Sequence, residues 1–308
     1  MSVETKRLIL SGLIATAFGL SIGCASSDSN QSESAIQSET AIASFVPESA
    51  NAKLIFEERF DTDESVKLDD WIMEGPGIAK VEDERLIIYP VVQPKMSALY
   101  DEGVLGMNDG QKGDYYKYTQ QFLAEERPDV DQSEMVWNEQ FKGGHINFWH
   151  QFELPENYII RCKFESLSKQ SLHMIMFSAL GLEGQNIFDE SMAKRNGVAA
   201  QLMYGDLRCY RVSYFAPERG TANMRVSPGR QLTIKGRDYA SESEGVHDLV
   251  IVKWENRVLF YVDDKLSFNF EHTDEFGEVL GGGSWGLRLM NTAKGAYDDF
   301  EIFSLTKK

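Results

Sequence analysis

The chain has 308 residues, 42% of them hydrophobic, and a formal net charge of −17. That length accommodates one large β-sandwich without a second domain, and so acidic a surface argues against nucleic acid as a partner. None of the three cysteines and five histidines is spaced as a zinc site.

Residues 1–23 read as a secretory signal. Lys6 and Arg7 precede the apolar run LILSGLIATAFGLSIG, and Cys24 follows it. A charged start, an apolar stretch and a small residue before the cut mark an export signal. The run is shorter than the roughly 20 apolar residues a permanent membrane helix needs. Cys24 directly after Gly23 resembles a bacterial lipoprotein box, although Leu20 lies one place further back than that pattern prefers. Cys24 is therefore the expected lipid anchor, with ordinary secretion as the alternative. The expected location is the cell envelope, at the outer membrane, touching the membrane through the N-terminal lipid only. Residues 24–53 are rich in Ser, Gln and Glu. Such a composition buries too little apolar surface to offset ordering and predicts a flexible tether. The folded domain is expected over residues 54–308.

From Leu54 onward the pattern is strand-like. RLIIYPV, YIIRCKFESL, SLHMIMFSAL, RCYRVSYFA, HDLVIVKWE, SWGLRLMNT and DDFEIFSL are short, rich in β-branched and aromatic residues, and bounded by turn residues. VIVKWENRVLFYVDDKLSFNF predicts two successive hairpins turning at Glu255-Asn256 and Asp263-Asp264. The fold class is all-β, a jelly-roll sandwich of two antiparallel sheets. Residues 93–142 break the pattern: acidic, tyrosine-rich and weakly helical in the middle. A loop of that length in a compact domain is usually functional or disordered; Tyr115, Tyr116, Tyr118 and Trp137 favour a lid or cleft wall.

The stretch GGHINFWHQF, residues 143–152, holds two histidines that strand alternation separates. His145, Asn147, Trp149 and Gln151 fall on one face, read as a wet face with an aromatic platform. Ile146, Phe148, His150 and Phe152 fall on the other, read as the core side. His173 lies among apolar residues and reads as a core histidine, whereas His247 and His272 flank strands and read as solvated. In RCYRVSYF, Arg208, Tyr210, Val212 and Tyr214 share a face, opposite Cys209, Arg211 and Ser213.

From Lys194 to Arg237 nine basic residues face only two acidic ones, Asp206 and Glu218, a net +7. Two readings stay open: a local anionic ligand, or structural ion pairs. Cys162 and Cys209 are buried thiols or a disulfide.

Several segments carry a family resemblance: DWIMEGPG, HINFW, NIFDESMAKRNG, GDLRCYRVSYF, NMRVSPG, GLRLM and YDDFEIF, in that order between Phe56 and Leu305. In these the chain resembles the YesU-like family of concanavalin A-like jelly rolls, bacterial proteins often encoded among polysaccharide-degradation genes. The insertion 93–142 departs from the compact members. The resemblance implies a concanavalin A-like sandwich and carbohydrate work, on uronic-acid polymers such as rhamnogalacturonan or ulvan.

Elimination on a uronate needs a cation at the carboxylate, a base for the C5 proton and an acid for the leaving group. The expected catalytic residues are His145, Tyr204 and Tyr214. The expected substrate-binding residues are Asn147, Trp149, Arg195, Arg208, Arg211, Asn223, Arg225 and Arg288. The leading reading is thus a lyase or dehydratase acting on an anionic polysaccharide or oligosaccharide. A non-catalytic glycan-binding lipoprotein is the alternative. A glycoside hydrolase is second, because no strand carries paired carboxylates at alternating positions. No cofactor is expected, and a structural calcium ion is plausible although no ligand loop is recognisable.

Overall fold

The strands pair as the alternating pattern requires, each laying one set of side chains inward. The computed structural model describes residues 38–308 apart from 39, 62–67, 107–112, 139–140 and 171. One antiparallel sheet runs, in spatial order, β15 (Lys265–Glu271), β14 (Arg257–Val262), β13 (His247–Trp254), β8 (Tyr158–Ser166), β17 (Gly295–Lys307), β4 (Arg85–Pro90) and β3 (Gly77–Glu82). β1 (Ala50–Glu58) also pairs with β17. The second runs β12 (Leu232–Arg237), β11 (Thr221–Ser227), β10 (Leu207–Tyr214), β9 (His173–Gly181), β16 (Gly283–Leu289), β7 (Ile146–Leu154) and β2 (Trp71–Glu74). A continuous apolar core fills the space between them, with Phe148, Phe177, Tyr210, Tyr214 and Trp285 from the second sheet and Phe164, Phe260 and Ile302 from the first. The two expected hairpins form. Glu255, Asp263 and Asp264 take positive φ at their turns, which suits the right-handed twist of the flanking strands.

The folded part begins earlier than residue 54. β1 starts at Ala50, opposite Lys307. Ile42 is fully buried against Ile159, Val250 and Phe303, and the Ser38 hydroxyl donates to Glu301 at 2.5 Å. The expected tether is therefore cut short, because its apolar Ile42 finds a groove on the outer face of the first sheet. The export signal, Cys24 and residues 24–37 lie outside the described residues.

The segment 93–142 folds on itself. Its helices α1 (Gln93–Asp101) and α2 (Gly113–Glu126) bury Met96, Tyr115, Tyr116, Leu123 and Met135 in a small core of their own. A short hairpin, β5 (Val136–Asn138) with β6 (Phe141–Lys142), completes it. It is fastened to the sandwich where Asn291 donates to the Thr119 hydroxyl at 2.8 Å. Helix α3 (Ala199–Tyr204) and the segment before it lie over the outer face of the second sheet.

Candidate functional site

Strand alternation divides the second sheet into two chemically different faces. On β10, Tyr210, Val212 and Tyr214 point into the core, while Cys209 and Arg211 point out. On β11 and β16 the outward residues include Asn223, Arg225 and Arg288. Register then brings cations together. Arg211 lies directly opposite Arg225 on the neighbouring strand, and Ser213 opposite Asn223. Like charges facing each other across an antiparallel pair are destabilising, so this arrangement costs the fold something.

These residues line one cavity of about 280 Å³, walled by Arg211, Arg219, Arg225, Arg230 and Arg288, with Ser213, Asn223 and apolar groups from α3. Among the described residues no Asp or Glu lines it. The guanidiniums are held by neutral acceptors instead. Arg211 donates to the Gly229 carbonyl at 2.8 Å, and its Nε, buried, has no partner. Arg219 donates to the Thr221 carbonyl and the Ser213 hydroxyl, with Asp238 and Glu218 near enough to favour its charge. Arg225 donates to the Arg230 carbonyl. Arg288, fully buried, donates to Asn147 Oδ1 at 2.6 Å, to the Gly197 carbonyl at 3.2 Å and to His145 Nδ1 at 2.8 Å.

Burial first, then the nearby Arg211 cation, lower the Arg288 pKa to about 10. Arg211 and Arg225 are lowered for the same first reason, Arg225 also by Arg230. Arginine keeps its proton in proteins. The lowering therefore measures the cost of holding these cations away from water, a cost that a bound anion would offset.

A buried chain of hydrogen bonds fixes Arg288. Glu74, at the end of β2, accepts from Arg195 Nε at 2.8 Å and from Asn147 Nδ2 at 2.9 Å, and Asn147 holds Arg288. Gly75 and Gly197 permit this. Both have positive φ, and a Cβ at either would collide with the His145 carbonyl.

The expected residues separate into groups. Arg211, Asn223, Arg225 and Arg288 line the cavity. Asn147 and Arg195 belong to the buried chain behind it. Arg208 lies away from the cavity, 3.3 Å from the Glu278 carboxylate. Trp149 is not an exposed platform: Met176, Ile187 and Leu202 cover it completely. His145 is fully buried, and burial pushes it well below the ordinary imidazole value, with the Arg288 cation adding to the effect. Its Nδ1 accepts from Arg288 and so the proton sits on Nε2, which leaves no free lone pair to take a C5 proton. Tyr214 lies on the opposite face, buried in the core with its hydroxyl 3.2 Å from that of Tyr297. Tyr204 is half exposed and sits in a different hollow, beside Trp137. The structure does not bring His145, Tyr204 and Tyr214 together.

Other histidines also find partners. His150 packs among Trp71 and Trp285 in the core, and His173 meets the Tyr297 hydroxyl at 3.0 Å. His247 and His272 are buried rather than solvated. Asp263, at the neighbouring turn, meets His247 at 2.7 Å, and Tyr210, from the other sheet, meets His272 at 2.7 Å. Cys162 and Cys209 are free buried thiols, one in each sheet. Among the described residues no group of three His, Cys, Asp or Glu side chains could hold a metal.

Sequence reasoning passed over Arg219, Arg230 and Glu74. The first two belong to the basic stretch 194–237, whose residues the fold divides between two environments. Lys194, Arg195, Arg208 and Arg237 pair with Glu134, Glu74, Glu278 and Glu242. Arg211, Arg219, Arg225 and Arg230 instead converge on the cavity.

A family model described as "Domain of unknown function (DUF1961)" matches residues 120–302, which span the cavity and all its arginines. The chain belongs to this family. As a DUF1961 protein it is 28% identical to the uncharacterized protein YesU of Bacillus subtilis (strain 168) over 174 residues, 53% of this chain and 79% of that one. A solved Bacillus subtilis protein of unknown function with a galectin-like fold superposes with a TM-score of 0.62 at 22% identity, covering 84% of this chain and 100% of its own. The resemblance to YesU-like proteins and the concanavalin A-like sandwich both hold. Looser matches, such as a laminarinase from Flavobacterium sp. UMI-01 with a TM-score of 0.45 and 14% identity over 82% of this DUF1961 chain and 100% of the laminarinase, carry no functional argument.

Proposed function

We propose that this chain is a carbohydrate-active protein of the cell envelope that binds an anionic saccharide, carboxylated or sulfated, in the arginine cavity. One observation carries the reading: five guanidiniums line a cavity with no carboxylate among its described lining residues. Arg211 and Arg288 are buried among neutral acceptors, and a bound anion would offset the cost of holding those two charges away from water. Planar guanidiniums grip carboxylate and sulfate with paired hydrogen bonds. At about 280 Å³ the cavity lies at the small end of ligand sites, roughly 300–1,000 Å³, which suits one charged ring of a longer glycan. A lipid on Cys24 would hold such a domain at the outer membrane, where uronic polymers such as ulvan or rhamnogalacturonan are met.

Elimination on the bound uronate is the second reading. The arginines favour it, because a neutralised carboxylate makes the C5 proton easier to remove. The base is its weak point, since His145 is committed to Arg288 and Tyr214 faces the core. Hydrolysis would need two carboxylates at the scissile bond, and the described residues of the cavity walls supply none.

Titration calorimetry with oligosaccharides of ulvan, rhamnogalacturonan and alginate tests the proposal. Saturable binding is expected. Arg225→Met should weaken it about 10- to 100-fold, the worth of a charge-assisted hydrogen bond of roughly 1.5–3 kcal/mol. No binding to any of the three would sink the proposal. Absorbance of unsaturated uronate in the same mixtures decides the second reading: growth means elimination, and binding without growth means a lectin.

A further inference from the structure

Of the five tryptophans, four are buried: Trp71, Trp149, Trp254 and Trp285. Trp137, on β5, is 49% exposed. Tyr204, the last residue of α3, is 51% exposed. Among the described residues these are the two aromatic side chains in the set of large exposed apolar groups. They are far apart in sequence, yet they line the same hollow of about 360 Å³, together with Leu182, Lys194, Arg195 and Asp206. Exposed apolar groups scattered singly need no explanation, but convergence in a concave site with polar neighbours does.

The charge of this hollow differs from that of the arginine cavity. Lys194 and Asp206 oppose each other in sign, and Arg195 is neutralised by Glu74 at 2.8 Å. Its occupant is therefore uncharged, with an apolar face for the rings and hydroxyls for the polar rim. A pyranose ring has that form. A protein partner would need roughly 800 Å² of contact on this side, more than one hollow of this volume offers.

The hollow adjoins the cavity. Leu202 and Met203 of α3 line the cavity, while Gln201 and Tyr204 of the same turn line the hollow. Phe141 stands between them, its ring 5.8 Å from that of Tyr204 and 5.6 Å from the Arg230 guanidinium. An α-helix with its side chains is about 10 Å across, a distance an oligosaccharide spans.

We propose that the Trp137–Tyr204 hollow is a second saccharide subsite, taking a neutral pyranose ring of the same glycan whose charged ring enters the arginine cavity. It rests on the anionic-saccharide reading for the identity of the ligand. Acrylamide quenching of tryptophan fluorescence tests it, because Trp137 is the accessible emitter. The probes are free glucuronate and the oligosaccharide that binds in calorimetry. The oligosaccharide should protect Trp137 from acrylamide, and free glucuronate should not. Trp137→Ala should weaken oligosaccharide binding at least about fivefold, the effect of losing an anchoring aromatic, and leave glucuronate affinity unchanged. Trp137→Phe should retain most of the binding. Oligosaccharide that binds without protecting Trp137, with Trp137→Ala as tight as wild type, overturns the subsite and leaves the arginine reading standing. Failure of every probe to bind overturns the arginine reading and the subsite with it.

Discussion

The two faces of the seven-stranded sheet are made by the same strands and obey opposite rules. On the inner face the buried tyrosines find hydrogen-bond partners, although Trp285 Nε1 has none. Tyr214 meets Tyr297, His173 meets the same Tyr297, and Tyr210 meets His272. On the outer face Arg211 stands opposite Arg225, and Arg288 is buried against neutral acceptors with no carboxylate among the described residues of the cavity walls. The inner face mostly satisfies its own polar groups. The outer face does not, and a site that holds its own charges at a cost is a site shaped for something outside the chain.

The strongest test of this contrast uses pH. His145 lies toward the outer face, and His150 and His173 pack on the inner one, yet burial lowers all three: His150 to about 4, His173 to about 3, and His145 well below its ordinary 6.5. Folding favours their neutral forms. Below pH 6.5 the unfolded chain takes up protons that the folded chain refuses, so stability is complete above that pH and is lost as pH falls. His150 and His173, with folded values of about 4 and about 3, each contribute up to about 1.4 kcal/mol per pH unit below 6.5, and the lowered His145 and His272 add to the slope in the same direction. Urea midpoints at pH 7, 6 and 5 measure it. His145→Gln should make the slope shallower. An unchanged slope would mean that water reaches His145, and the outer face would then be an open one.

Arg288→Ala comes next. It strips donors from Asn147 Oδ1 and His145 Nδ1, both buried. Unfolding free energy should fall by about 2–3 kcal/mol, and anion binding should be lost. A variant that still binds would show that Arg288 is structural and that the cavity works without its deepest cation.

The smallest effect belongs to the inner face. Tyr214→Phe removes one hydroxyl contact of 3.2 Å. It should cost about 1 kcal/mol or less of stability and leave saccharide binding untouched in the same titration. Loss of binding or turnover in this variant would erase the distinction between the faces and restore Tyr214 to the chemistry.

Much of this molecule is legible in a linear reading. Period-two alternation placed His145 and His150 on opposite sides, and the inward one does pack among tryptophans. It placed Tyr210 and Tyr214 together, and both face the core. The same reading took Trp149 for a platform, because alternation tells which side a residue faces and not what later segment covers that side. The cover is Ile187 and Leu202, some 40 to 50 residues further on. His247 and His272 were misjudged for a related reason: their partners are local turn and cross-sheet groups that no period reports.

By itself the sequence determined the all-β class, the two hairpins at Glu255 and Asp263, and the presence of a basic stretch in an acidic chain, since these follow from local residue type and spacing. Tertiary structure alone decided which of those arginines are neutralised and which converge. Register set Arg211 against Arg225, and sheet order brought Arg288, from a strand some sixty residues away, beside them. Charge is a property of residues, but whether a charge is paired depends on distance, and the fold sets distance.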